Sequence, residues 1–186
     1  MSPKVTRLLL YALLLVVTTF VLRFEGRDWW CACGQIRFWD GDIWSSHCSQ
    51  HLLDPYTFTH VLHGVALFLI GLWLVPKMTF LWRLWWATFL ECLWEILENS
   101  PWVIERYRAV TISLGYEGDT VVNAMGDILA CMAGFALANW LGLRRSVILF
   151  VVIELILLAT IRDNLTLNVL MLVCPIEAIK EWQIAL

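Results

Sequence analysis

The stretch FLWRLWWATFLECLWEIL, Phe80 to Leu97, decides how this chain is read. It approaches the roughly 20 residues needed to cross a bilayer, yet it carries Glu91 and Glu95, and Glu98 follows directly. The three carboxylates stand at i, i+4 and i+7, so they line one helical face. An acid at the centre of a membrane helix costs about 2.5 to 3.5 kcal/mol on insertion scales, so this face needs cations, hydrogen-bond donors or water beside it. The run is a membrane helix with a polar seam, and the rest of the chain has to supply what meets that seam.

Around it lie other apolar runs: Leu8 to Leu22, about Phe58 to Val75, Thr120 to Leu141, Val147 to Ile161, and a shorter one, Leu165 to Cys174, stopped by Pro175. With 186 residues, 60% hydrophobic and 16% charged, and a mean hydropathy of +0.72, the chain is too apolar for a soluble domain of its size. The fold expected is all-α: a polytopic transmembrane helical bundle of five spans plus a short sixth or re-entrant C-terminal segment. Residues 1–186 form one membrane domain, with 24–57 as an external, Trp-rich interfacial segment broken by Gly26, Gly34, Gly41 and Pro55. The first run follows Lys4 and Arg7 but lacks a small-residue cleavage site, so it reads as an uncleaved helix. Several of the twelve Trp residues (Trp29, Trp30, Trp39, Trp44, Trp102, Trp182) stand where a chain enters or leaves lipid, the usual place for interfacial anchors. The net charge of -3, without a basic stripe, excludes a nucleic-acid partner and leaves membrane lipid as the expected one.

Orientation follows from cations that no acid accompanies. Lys4, Arg7, Lys77, Arg83, Arg144 and Arg145 flank alternate helix ends, which the positive-inside rule assigns to the cytoplasm. The N-terminus is then cytoplasmic, and the opposite ends, where acids and histidines gather, face the periplasm. His47, His51, His60, His63, Glu95, Glu98, Asp119, Asp127 and Asp163 are predicted to converge in that layer.

His60 and His63, at i and i+3, are near enough on a helix to meet one ion. With Glu95 and Asp119 they form the expected metal set, suited to zinc, manganese or iron. The pattern is not a zincin motif, since no Glu follows the first His. Glu98, His51 and Asp127 are the candidate catalytic groups, Glu98 and His51 moving protons. Arg106, Arg108, Asn123 and Arg162 are the candidate substrate-binding groups, guanidinium forks being suited to a phosphate or carboxylate. Structural roles compete with each of these: ion pairs between the glutamate stripe and Arg106, Arg108 or Arg162, or an N-cap role for Asp119. Gly126, on the face of Asp119, Asn123 and Asp127, allows close approach by a backbone or substrate. Ser45, Ser46 and Ser49 beside His51 and Asp54 keep a serine nucleophile open, though no nucleophile elbow surrounds them. Cys31, Cys33 and Cys48 are placed for a disulfide, Cys31 with Cys48 being easier than Cys31 with Cys33, or less readily for a thiolate metal site.

The stretch from Ser49 to Tyr56, with His60 and His63 after it, then Trp94 to Pro101, Ile104 to Arg108, Gly118 to Thr120 and Arg162 to Asn168, resembles an uncharacterised alphaproteobacterial family of integral membrane proteins. The resemblance covers most of the chain and implies an inner-membrane location in a Gram-negative bacterium, with no activity attached. A looser resemblance is to VanZ-like membrane proteins, carried by Glu91 or Glu95, Arg106 or Arg108, and Asp119 with Asn123 and Gly126. The histidines have no counterpart in that layout, so glycopeptide resistance is not implied.

The function expected is a metal-dependent membrane hydrolase or group transferase acting on a lipid or lipid-linked substrate at the periplasmic leaflet, with a divalent ion, zinc foremost, activating water. In this scheme the Trp-rich segment lies over the site as a lid. The alternative is a non-enzymatic protein that holds a small solute, haem or partner helix in the same pocket. A transporter fits less well, because the polar residues gather near one leaflet rather than at the midplane, though Glu154 on an otherwise apolar helix leaves room for ion movement.

Overall fold

The pattern of apolar runs separated by breakers folds as helices throughout. A computed structural model describes residues 3–35, 37–113 and 115–185, and among these there are eight α-helices and no strand, with one isolated bridge between Trp39 and Leu53. The helices are α1 (Pro3–Phe24), α2 (Thr57–Leu74), α3 (Phe80–Glu98), α4 (Pro101–Val110), α5 (Val121–Leu141), α6 (Leu143–Ile161), α7 (Leu165–Val173) and α8 (Glu177–Ile184). The side chain of Lys4, one of the orienting cations, lies outside the described residues.

Three helices are long and apolar enough to cross a membrane: Val5–Phe24, Thr57–Leu74 and Val121–Leu141. α3 and α6 have 19 residues each but carry Arg83, Glu91, Glu95 and Glu98, and Arg144, Arg145 and Glu154, respectively. α7 has 9 residues, about 14 Å at 1.5 Å per residue, and is too short to cross. Pro175 lies in the break after it, and α8 resumes at Glu177.

The centre of the bundle is the α2–α5 pair, drawn together by glycines. A Cβ on Gly64 would stand 2.0 Å from the Cys131 carbonyl oxygen, and one on Gly134 would stand 2.1 Å from that of Val61, so the two backbones touch where only glycine fits. Below this crossing Val65, Phe68, Ala87, Phe135 and Ala138 form the apolar core, with the Phe68 and Phe135 rings edge to face at 5.5 Å. α1 leans on α3 and, through Leu22 against Val121 and Ala124, on α5, and leaves Leu8, Phe20 and Phe24 exposed, as a lipid-facing helix does.

The short α2–α3 connection and the single Gly142 between α5 and α6 make these pairs antiparallel, and Lys77, Arg83, Arg144 and Arg145 fall at that end. The start of α2, the end of α3, the start of α5 and the end of α6 therefore meet at the other end. This is the layer in which the polar side chains were expected to converge.

Candidate functional site

His60 and His63 project from the first turns of α2 towards the last turns of α3. His60 Nδ1 lies 2.6 Å from Glu91 Oε1 and 3.3 Å from Glu95 Oε1, and its Nε2 is 3.9 Å from Asp127 Oδ2 on α5. His63 Nδ1 is 3.1 Å from both Glu91 oxygens. His60, Glu91, Glu95 and Asp127 are buried, and the imidazoles stand edge to face at 5.1 Å. The carboxylate face of α3 is thus met by histidines. Among the described residues no Arg or Lys forms an ion pair with Glu91, Glu95, Glu98 or Asp127, so the arginine pairing weighed from the sequence is replaced by His–Glu contacts.

The charge balance of this cluster is incomplete. Glu95 is fully buried and neither of its carboxylate oxygens has a hydrogen-bond donor, while Glu98 Oε2 and Asp127 Oδ1 are buried and also unpartnered. Buried polar atoms are nearly always bonded, and a buried carboxylate without a donor or cation is costly. Two groups offer ligand atoms within 4.8 Å of one another: His60, His63 and Glu91, and His60, Glu95 and Glu98. Bonds of about 2.0 to 2.2 Å to a tetrahedral zinc put neighbouring donors roughly 3.3 to 3.6 Å apart, near the His60–Glu95 (3.3 Å) and His63–Glu91 (3.1 Å) separations, whereas His60 and Glu91 at 2.6 Å are in direct hydrogen-bond contact that an ion would part. Glu91, absent from the expected ligand set, lies within hydrogen-bonding distance of both histidines; its place on the stripe with Glu95 was the signal that could have found it.

Asp119 is not among the groups whose ligand atoms gather at the histidines. Its Oδ2 accepts from Asn99 Nδ2 (2.8 Å), its Oδ1 from the Tyr116 hydroxyl (2.9 Å), and its own N–H donates to Asn99 Oδ1 (2.7 Å), which ties the end of α3 to the start of α5. Burial raises its carboxyl above the ordinary range, against these hydrogen bonds. Nor is it the N-cap of α5, since Thr120 fills that position. Asn123 Nδ2 donates to the His51 carbonyl at 2.8 Å, and the Leu52 carbonyl packs against Gly126, where a Cβ would stand only 2.1 Å away. The close approach predicted at Gly126 is thus made by the backbone of the outer segment.

The three arginines expected to hold an anionic substrate are otherwise engaged, and none lines either cavity described below. Arg106 Nε donates to the Leu172 carbonyl (3.0 Å), Arg108 Nε to that of Tyr116, and Arg162 Nη1 to that of Trp182 (3.0 Å), whose ring the guanidinium also covers. They fasten α7, the 111–118 turn and α8. Glu154 is likewise structural: its carboxylate accepts from the N–H groups of Leu165 (2.9 Å) and Thr166 (3.1 Å) at the start of α7, which removes the basis for ion movement through it.

A cavity of about 550 Å³ opens beside the cluster, with Tyr56, Glu98, Tyr107 and Asn168 on its inner wall and Cys31 and His47 on its outer wall. The same four inner residues also line a small cleft that reaches His60 and His63, so they form the partition between cavity and histidines. Tyr107 donates to Asn168 Oδ1 at 2.8 Å, and Tyr56 to Asp163 Oδ2 at 3.2 Å. Asp163 also accepts from Asn164 N–H, Asn168 and Gln183, yet burial pushes its carboxyl up to about 6. The roles of Tyr56 and Tyr107 escaped sequence reasoning because no spacing marks them.

His51 has different neighbours. It does not join His60; its ring stacks on His47 and lies with Cys31 and Cys33, and burial lowers its basicity. Asp54, taken with His51 as a possible partner, receives the N–H groups of Ser49, Tyr56 and Thr57 ahead of α2. The Ser45 hydroxyl donates to the Asp42 carbonyl and Ser49 offers only its N–H to Asp54, so the described residues show no serine–histidine hydrogen bond of the kind a nucleophile needs. All six cysteines are free, Cys31 meeting His47 rather than Cys48.

An all-helical protein with helices suited to membrane insertion and a buried histidine–carboxylate cluster with possible metal ligands at one end of its bundle is the class defined so far. Residues 22–185 match the family described as "Protein of unknown function (DUF2585)", and the chain belongs to that family. It is 49% identical over 175 residues to a "UPF0314 protein" of Paracoccus denitrificans, covering 94% of this chain and 90% of that one. It is 47% identical over 169 residues to a "UPF0314 protein" of Rhizobium meliloti (91% and 86%), and 44% identical over 175 residues to one of Sphingopyxis alaskensis (94% and 93%). These matches bear out the resemblance to an uncharacterised alphaproteobacterial family; they do not bear on the VanZ-like layout. No solved structure matches the chain.

Proposed function

We propose that this protein is a membrane-embedded, metal-dependent hydrolase or group transferase acting on a lipid or lipid-linked substrate. In this reading α1, α2, α3, α5 and α6 cross the bacterial inner membrane and the polar end of the bundle faces the periplasm. The observation that carries it is Glu95, a fully buried carboxylate with no donor on either oxygen, set among three further acids and only two imidazoles. A divalent cation is the simplest group that supplies the missing charge and fills the vacant coordination directions at once.

His60, with His63 and Glu91 or with Glu95 and Glu98, would hold the ion, which would supply a bound water of lowered pKa. Glu98, on the partition between cavity and cluster, is placed to carry a proton between them. The cavity, of the size that takes a small ligand or a headgroup, would receive the substrate beside the exposed ring of Trp44. Metal analysis of the purified protein tests the core: about one ion bound in this cluster, lost in His60→Ala and Glu95→Ala, is expected, and wild-type protein without an ion here overturns the reading. Incubating loaded and chelated protein with inner-membrane lipid extract, followed by mass spectrometry, tests the reaction. Ion binding without any metal-dependent lipid product would leave the alternative, a binding or assembly protein.

A further inference from the structure

The long segment between α1 and α2 has almost no regular structure, yet it is held in place. Apart from short-range turns, its two halves are tied by Asp40 N–H to the Leu53 carbonyl, Leu53 N–H to that of Phe38, Leu52 N–H to that of Arg37, and Arg37 N–H to His51 Nδ1 at 3.3 Å. Stretches of this length without secondary structure are uncommon in a compact protein, and small units without a core of their own often depend on a metal. Near its start stand Cys31 and Cys33, and near its end His47 and His51.

We infer that Cys31, Cys33, His47 and His51 form a second metal site, a four-ligand structural zinc centre that clasps the two ends of this segment together. One ligand atom from each lies within 4.8 Å of all the others, and Cys31 Sγ is 3.3 Å from His47 Nδ1. Zinc bonds of about 2.3 Å to sulfur and 2.0 to 2.1 Å to nitrogen put tetrahedral neighbours roughly 3.4 to 3.8 Å apart, so small adjustments close the shell. The donors are two thiols and two imidazoles, a set that selects zinc, and the histidines are spaced i, i+4 as in many zinc modules. A separate observation points the same way: His51 is 1% exposed and its Nε2 has no hydrogen-bond partner, with Asp40 Oδ2 at 4.0 Å, beyond hydrogen-bonding reach. A buried ring nitrogen left without a partner marks a place where an ion or water belongs. Four protein ligands leave no open position, so this centre is structural, and it stands whether or not the histidine–carboxylate cluster binds metal.

Cobalt substitution of the full-length protein in detergent distinguishes the two sites, because only thiolate ligands give a sulfur-to-cobalt charge-transfer band in the near ultraviolet. The band is expected in wild type and in His60→Ala, and lost in Cys33→Ser and His47→Ala, each of which also binds one zinc equivalent less than wild type. Cys33 is exposed, so its serine variant is expected to fold, and Cys48→Ser serves as the control that keeps the band. A wild type without the band, a Cys33→Ser protein with undiminished zinc, or Cys31 and Cys33 isolated as a disulfide would each overturn the inference.

Discussion

Glu95→Gln changes one oxygen for an NH2 group of nearly equal size, and its effect on stability is expected to depend on metal. In chelated protein the variant removes one of four carboxylates crowded about two imidazoles, at a position with no exposure and no donor. Leaving such a group unsatisfied costs about 1 to 3 kcal/mol, so the chelated variant should be more stable than chelated wild type by up to that amount. With zinc at about a hundred times its Kd, wild type gains about 2.7 kcal/mol from binding. A variant whose affinity has fallen a hundredfold keeps only about 0.4 kcal/mol of that gain at the same zinc concentration. Thermal unfolding in detergent, followed with chelator and then with zinc for both proteins, reads the two shifts directly. To keep the Cys/His centre from contributing, the comparison is made in a Cys33→Ser background. A variant that gains as much stability from zinc as wild type does would refute the argument that an ion balances Glu95.

Asp163→Asn should flatten the acid side of the pH–stability profile. The native carboxyl, at about 6, holds its proton more tightly than in the unfolded chain, where 3.8 is ordinary. Its contribution is therefore fully present below about pH 4 and is lost as the pH rises to 6, a change on the order of 3 kcal/mol that equilibrium unfolding between pH 4 and 7 would detect. Glu154→Gln should cost about 1 to 2 kcal/mol by weakening the cap on α7, while proton flux into vesicles containing the protein stays unchanged; a loss of flux would restore an ion-conducting role. Gly134→Val should force α2 from α5, since the new Cβ would stand 2.1 Å from the Val61 carbonyl oxygen, and the yield of monodisperse protein in detergent should collapse. Normal yield would show that the crossing can open.

The part of the site that follows from helix geometry was legible in the sequence. Glu91, Glu95 and Glu98 had to share a face, His60 and His63 had to lie together, and apolar runs joined by short links had to bring these ends to one layer. What escaped depended on segments without periodicity. Nothing in the spacing of His51 says that it belongs with Cys31 rather than His60, because the chain between α1 and α2 follows no regular repeat. Arg106 and Arg162 looked free for an anion because the short α7 and α8, whose carbonyls they bind, could not be placed around Pro175. Asp119 looked like a ligand because its partner Asn99 ends α3 without any motif of its own. The number of spans stands differently: α1, α2 and α5 have the apolar length of a span, while α3 and α6 carry the charges that build the polar end.

The contact between Leu52 and Gly126 limits how this protein can open. With a main-chain oxygen seated where any other residue would have a side chain, and with the Ser49 and His51 carbonyls bonded to Thr120 N–H and Asn123, the strip before α2 is riveted to α5 and cannot swing aside as a cover. One flank of the cavity is formed by residues 43–47, 112–113 and 115–117, and bulky substitutions there should slow entry without disturbing the buried acids.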